Sequence, residues 1–305
     1  MPLPYDEKLI ALSEALLKQF DAIFGLHPGL RPAHAKGALL TGTFTPSPEA
    51  ATLTRAPHVT RESIPVTVRF SNSTGVPLIP DNDLNANPRG MAIRFHLAER
   101  VHTDIVSHSA DGFPVRTGDE FLEFLRALAS GDPTLFVSTH PATLRFVQLP
   151  KPAPSSFARE SYFGITAYNF TNASGVGKFG RYRIVPEAGN QHLSEAEAAA
   201  KTPNYLFDEL TERIAIGPIA FRILVQIADP KDVVDDATVH WPEDRPIAEL
   251  GKITLTTSVP EDAPAQKHII FDPIPRVDGI DPSADPLLEL RAALYLLSGR
   301  RRRAA

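Results

Sequence analysis

Cysteine is absent from the chain. That one absence excludes disulfides, iron–sulfur clusters, zinc fingers, thiolate ligands and cysteine nucleophiles. Long apolar runs are missing as well, so no helical span of a bilayer is expected. The first residues, Met1-Pro2-Leu3-Pro4-Tyr5-Asp6-Glu7, lack the basic stretch and following apolar stretch of a secretion signal. The cytoplasm is therefore the expected compartment, or the periplasm if a leader has been removed. Nor does one charge dominate: 31 Lys and Arg against 36 Asp and Glu leave a net charge of −5. That balance favours neither nucleic acid nor a membrane as partner, and the short run Arg300 to Arg303 does not change it. Phosphate loops, dinucleotide fingerprints, serine-hydrolase elbows and H-E-x-x-H pairs do not occur. His102 and His108 do not stand at a metal-ligand spacing.

What remains is an ordinary globular composition, 43% apolar and 22% charged over 305 residues. That is enough chain for a core that encloses a cofactor. Residues 7–24 place Leu9, Leu12, Leu16, Phe20 and Ile23 at helical spacing, and Gly25 stops the run. From about 37 to 110 the texture turns to short β-branched and alternating runs, such as 66–71, 91–95 and 104–106. Helices are expected near 119–130 and 138–148, and strands at 162–172, 177–185 and 220–228. Ser194 with Glu197 forms a capping box ahead of an alanine-rich helix. Asn204 is placed to cap another, ending at Gly217. Strands fit 251–259 and 268–272, and a last helix begins near Pro286. The 29 prolines lie in connections, and no repeat or low-complexity linker divides the chain. The expectation is one α+β domain over residues 1–305, dominated by an antiparallel sheet that could close into a barrel.

In the last helix, residues four and seven apart share a face, so Arg291, Tyr295 and Arg302 form one stripe. A guanidinium one turn from a phenol can hydrogen-bond its oxygen and favour the anion. A phenolate is a hard donor suited to ferric iron. The same spacing also suits a half-buried tyrosine with arginines on a solvated tail, and spacing alone favours that plainer reading. Around Arg69 the side chains should alternate, with Val66, Val68 and Phe70 on one face and Thr67, Arg69 and Ser71 on the other. The polar face serves either a pocket or water. Arg94 is expected to face solvent, as strand arginines usually do. His34, within Arg31-Pro32-Ala33-His34-Ala35-Lys36-Gly37, is weak as a lone signal, because most histidines are surface or satisfied core residues.

Taken together in order, these segments resemble the catalase family over nearly the whole chain. His34-Ala35-Lys36-Gly37 resembles the V-H-A-K-G motif, and Val68-Arg69-Phe70-Ser71 the A-V-R-F-S strand. Asn87 to Phe95 is similar to D-P-R-G-F-A-V-K-F, and Asp104-Ile105-Val106 to D-L-V. Phe113 and Phe121 fall on the two family phenylalanines. Tyr182 to Ile184, Trp241-Pro242 and Phe271-Asp272-Pro273 follow in family order, and Arg291-x-x-x-Tyr295 with Arg302 reproduces the R-x-x-x-Y motif and its following arginine.

The resemblance implies a catalase-like core, a closed antiparallel barrel of about eight strands with flanking helices, and a bound haem b. Tyr295 would be the axial iron ligand, supported by Arg291. Arg31, Arg69 and Arg302 would pair with the haem propionates, and Phe113 and Phe121 would lie beside the haem. His34 would be the distal acid/base, with Ser71 beside it. His108 stands where the family carries an asparagine, and Leu296-Leu297-Ser298 replaces the P-D-T that follows the tyrosine. The short arms point to the minimal, catalase-related peroxidase branch and to a monomer or homodimer. The implied activity is reduction of hydrogen peroxide or an organic hydroperoxide through an oxoferryl intermediate, at the expense of a small organic electron donor, with weak catalase activity. Two rivals carry different consequences. A hydroperoxide lyase of the allene oxide synthase type carries threonine where this chain has Ala33, and a non-catalytic haem-binding protein would have no use for a distal histidine.

Overall fold

The computed structural model describes residues 4–260 and 262–305; Met1 to Leu3, part of the N-terminal stretch searched above for a secretion signal, lie outside them. Ten strands form one sheet: β1 (Gly37–Pro46), β2 (Ile64–Ser71), β3 (Gly90–Ala98), β4 (Val101–His108), β5 (Tyr162–Phe163), β6 (Tyr168–Thr171), β7 (Gly177–Pro186), β8 (Ile219–Ile227), β9 (Ile247–Ser258) and β10 (Ile280–Pro282). Every pairing is antiparallel. β7 pairs with β8 and so closes β1, β9, β8, β7, β5, β4, β3 and β2 into an eight-stranded barrel, with β6 and β10 as an extension from β7. Closure removes the free edges that a flat sheet would expose. The period-two alternation read at β2 holds: Val66, Val68 and Phe70 enter the interior with Phe44, Phe95 and Phe221, and Arg69 and Ser71 take the other face.

The helices are α1 (Glu7–Phe24), α2 (Ala50–Leu53), α3 (Gly118–Ala129), α4 (Thr134–Thr139), α5 (Pro141–Gln148), α6 (Glu195–Ala199), α7 (Tyr205–Ile216), α8 (Asp262–His268) and α9 (Pro286–Ala304). A second core joins the apolar faces of α1, α3 and α9 through Leu16, Phe20, Leu122, Leu125, Leu290 and Leu294. Asp6 caps α1 and Asp285 caps α9, each accepting from a backbone N–H of the first turn. Thr117 and Glu120 form a capping box on α3, and Ser194 and Glu197 one on α6. Among the described residues no helix is long and apolar enough to cross a membrane.

Five expectations are corrected. The helix at 138–148 is two, because Pro141 starts α5 and His140 between them is extended (ψ 90°). The strand at 162–172 is broken between β5 and β6, where Ile165 turns into the second core. Asn204 sits at the start of α7 but caps nothing with its side chain, which donates to Asp208 at 2.6 Å instead. Arg94 does not face solvent; its guanidinium grips Asp104 through Nε at 2.9 Å and Nη2 at 2.7 Å. Residues 268–272 are not a strand. The carbonyls that a ladder would use go to guanidiniums: Arg31 and Arg302 donate to Ile269 O, and Arg94 to Ile270 O.

Candidate active site

The barrel has an outer face on β2, β3 and β4, and register places its residues in two cross-strand rows. Arg69 pairs with Ala92 and Ala92 with Val106; Ser71 pairs with Gly90 and Gly90 with His108. Side chains in one row point to one side of the sheet, and all six residues line a single cavity. The small residues in the middle strand keep the floor of that cavity low. Opposite to this face α9 contributes Arg291, Leu294, Tyr295, Ser298 and Arg302, a stripe at helical spacing. The cavity holds ≈ 1190 Å³ of empty space when its opening to solvent is counted. Every candidate residue singled out above borders it: Arg31, His34, Arg69, Ser71, His108, Phe113, Phe121, Arg291, Tyr295 and Arg302.

His34 lies in the segment leading into β1, with φ of +55°, a left-handed conformation that costs a histidine energy. Its N–H bonds Ser73 O at 2.5 Å, and Ala35 N–H bonds Thr74 O at 3.0 Å, so the segment is tied beside the continuation of β2. His34 Nδ1 lies 3.0 Å from Ser71 Oγ. Gly90 makes room for that pair: a Cβ there would come within 2.9 Å of His34 Nδ1 and 2.5 Å of Ser71 Oγ. Burial, followed by the nearby Arg69 guanidinium, pushes the His34 pKa down to about 3, so the ring is neutral at physiological pH. Behind it a buried network holds the 72–89 loop. Asp81 accepts from Lys36 Nζ and Asn72 Nδ2, each at 2.7 Å, and Arg89 Nη1 donates to Asn72 Oδ1 at 2.6 Å.

His108 accepts the Ala110 N–H on Nδ1 at 3.3 Å, which places its own proton on Nε2. Burial, then the field of Arg291, brings its pKa down to about 4. It is thus a neutral donor in the same cavity as His34. On the other wall, Arg291 Nε donates to Tyr295 Oη at 3.3 Å. Burial acts to lower the Arg291 pKa, but Tyr295 and Tyr168 outweigh it and the pKa is raised. Phe121 packs on Phe113, ring centroids 5.3 Å apart, and on Phe20 of α1 at 6.1 Å.

Arg31, Arg69 and Arg302 gather at one edge. Burial, then Arg69 and Arg302, holds Arg31 well below its ordinary pKa. Burial brings Arg69 down to about 9 and Arg302 down to about 10. Among the described residues, Asp262 is the carboxylate that opposes these shifts at Arg31 and Arg69. Three mutually repelling guanidiniums make a site for a ligand with more than one negative charge.

Some lining residues escaped sequence reasoning. Ala92 and Val106 could have been found from the alternation that singled out Arg69. Phe20 stood out as part of an amphipathic face, with no sign that the face closes a cavity. Ile269 and Ile270 were read as part of a strand and Phe271 within the Phe271-Asp272-Pro273 motif, none with a place in the cavity, since that place depends on arginines far away in sequence.

Comparison with known proteins adds the lineage. The family model described as catalase matches residues 29–305. A catalase-related peroxidase of Mycolicibacterium paratuberculosis is 36% identical over 282 residues, 90% of this chain and 89% of that one. A catalase-related peroxidase of Synechococcus elongatus is 33% identical over 298 residues, 93% of this chain and 87% of its own. The solved structure of catalase A from Saccharomyces cerevisiae superposes with a TM-score of 0.80 at 22% identity, covering 99% of this chain and 65% of that chain. At that identity the superposition bears on the fold alone.

Proposed function

The chain belongs to the catalase family, and from that premise we propose that it is a haem-dependent peroxidase of the catalase-related type. Its substrates would be hydrogen peroxide or an organic hydroperoxide, with a small organic electron donor. The observation that carries this reading is the pairing, in one cavity, of Tyr295 with Arg291 on one wall and His34 with Ser71 on another.

The residues present suit haem b. The three guanidiniums at the cavity edge match a pair of propionates, Phe113 and Phe121 offer aromatic faces, and the Tyr295 oxygen is a hard donor for ferric iron. When bound, haem supplies an iron centre that peroxide oxidises and an organic donor reduces. Everything else falls to the chain. Arg31, Arg69 and Arg302 would hold the carboxylates, and Tyr295 would hold the iron while Arg291 stabilises its oxygen. His34, neutral and held through Nδ1 by Ser71, takes the proton from the near peroxide oxygen at Nε2 and returns it to the departing one. His108 donates its Nε2–H to the bound peroxide. Because an imidazole is bulkier than a carboxamide, we expect slower disproportionation and a larger share of organic peroxidase turnover.

The test is an absorption spectrum of the haem-loaded protein beside Tyr295→Phe. The parent should show a high-spin ferric spectrum, and the variant a shifted one with at least a hundredfold loss of peroxide consumption, within the range of roughly 10²–10³ for losing a key stabilising group. A spectrum unchanged by the substitution would remove Tyr295 as ligand. Oxygen release at the rate of full-length catalases, with no oxidation of a phenolic donor, would overturn the peroxidase assignment.

A further inference from the structure

Arg69 presents more than one surface. Its Nη2 donates to His34 O at 2.9 Å and to Ala35 O at 3.2 Å. Its Nε donates to Gln266 Oε1 at 2.7 Å. Among the described residues Nη1 has no protein partner, and the side chain borders the cavity. The guanidinium sits close over Gly37, where a Cβ would come 2.3 Å from Nη2, so the glycine leaves the room it occupies. Gln266 is fixed in turn: its Nε2 donates to Gly37 O at 2.8 Å and to Asp262 Oδ2 at 2.5 Å, and Asp262 Oδ1 accepts the Leu39 N–H at 2.9 Å.

We propose that Asp262 and Gln266 on α8 orient the Arg69 guanidinium, and that Arg69 through its two carbonyl contacts holds the left-handed backbone of His34 in the position where its ring serves as the proton acceptor. Arg69 and Gln266 are then positioning residues for His34. A rigid planar group that carries a carboxylate on one edge and the His34 backbone on another makes the site of the ligand's acid groups and the site of proton transfer one unit. The strained φ of His34 is the reason such a hold is needed: a residue left to itself would relax to the ordinary right-handed or extended regions. The inference rests on the reading of the cavity as a haem site, but not on any peroxide activity.

The test uses the haem-loaded protein and Gln266→Leu, which keeps the side-chain size and removes both hydrogen-bonding ends. Two quantities are read: the haem affinity by Soret titration, and the association rate of cyanide, which must lose its proton to a base in the cavity before it binds as the anion. Haem affinity should stay within about threefold, while cyanide association falls roughly ten- to a hundredfold, the scale of a displacement near one ångström. The double variant Asp262→Asn with Gln266→Glu keeps an acceptor for Arg69 Nε and a hydrogen bond within the dyad but turns a carboxylate oxygen towards Gly37 O in place of the Nε2 donor, and should recover the rate only in part. Unchanged cyanide association in Gln266→Leu would overturn the proposal. So would an equal loss of haem affinity, which would make Gln266 part of the haem site only. If the parent consumes no peroxide yet Gln266→Leu slows cyanide, the functional assignment falls and the positioning role stands.

Discussion

At the scale of single residues, the cavity depends on groups kept from being charged. His34 and His108 sit near about 3 and about 4 because burial penalises the imidazolium more than any partner rewards it. A neutral His34 is what proton abstraction requires, so its protonation sets no limb of the rate profile within the physiological range. His34→Gln keeps polarity and approximate size but cannot take up a proton. Peroxide consumption should fall about 10²- to 10⁴-fold with the Soret band retained; stopped-flow measurement on the loaded variant decides this, and a loss below tenfold would remove His34 as the base. His58 shows the same physics with no ligand in reach. It packs against Phe44 and Phe95, its Nδ1 has no partner among the described residues, and burial brings its pKa down to about 4.

At the scale of elements, β3 and α9 do most of the placing. β3 contributes Gly90 and Ala92 to the floor of the cavity, and the first of these cannot grow. Gly90→Ala would force the methyl against Ser71 Oγ and His34 Nδ1, breaking the bond between them. The expected result is a loss of peroxide turnover of roughly tenfold or more, with thermal stability lowered by about 1–3 kcal/mol from overpacking. A crystal structure of the variant with the His34–Ser71 contact intact would contradict this. α9 carries five cavity residues on one stripe and is anchored beyond it by Leu287 and Leu290 in the second core. Its C-terminal arginines are only partly a solvated tail: Arg300 and Arg303 are exposed, but Arg302 is buried. Arg301 pairs with Asp21 of α1, and Arg302 and Arg303 donate to carbonyls at 267–269.

For the whole molecule, the buried histidines link stability to pH. His34, His58 and His108 have folded pKa values below the unfolded value near 6.5. The unfolded chain therefore takes up protons first as the pH falls. Their contribution is complete above about 6.5 and is lost as the pH drops towards 4 and 3. Asp285, pushed up to about 6 by burial, and Glu160, raised by burial, act in the opposite sense, whereas His96 and His102, lowered by burial, act with the other histidines. The melting temperature should thus fall steeply between pH 6.5 and 4.5. His58→Phe, away from the cavity, should flatten that slope by roughly a third; an identical slope in both proteins, measured by calorimetry, would show that His58 does not stay neutral.

How much of this was legible beforehand follows from the range of each interaction. Backbone periodicity acts over a few residues, so the alternation at β2 and the stripe Arg291–Tyr295–Arg302 could be read directly, as could the helix stop at Gly25. Motif order then brought His34, Phe113 and Phe121 into one proposed site. What stayed hidden has partners far apart in the chain. The apolar run 269–271 has the local texture of a strand, and only the arrival of Arg31, Arg94 and Arg302 at its carbonyls prevents one. The same is true of Arg69. Local spacing turned its side chain out of the barrel, but its contacts with His34 O and with Gln266, 197 residues away, exist only once the barrel has closed. Spacing along the chain decided which way each side chain points; packing between distant segments decided what it meets.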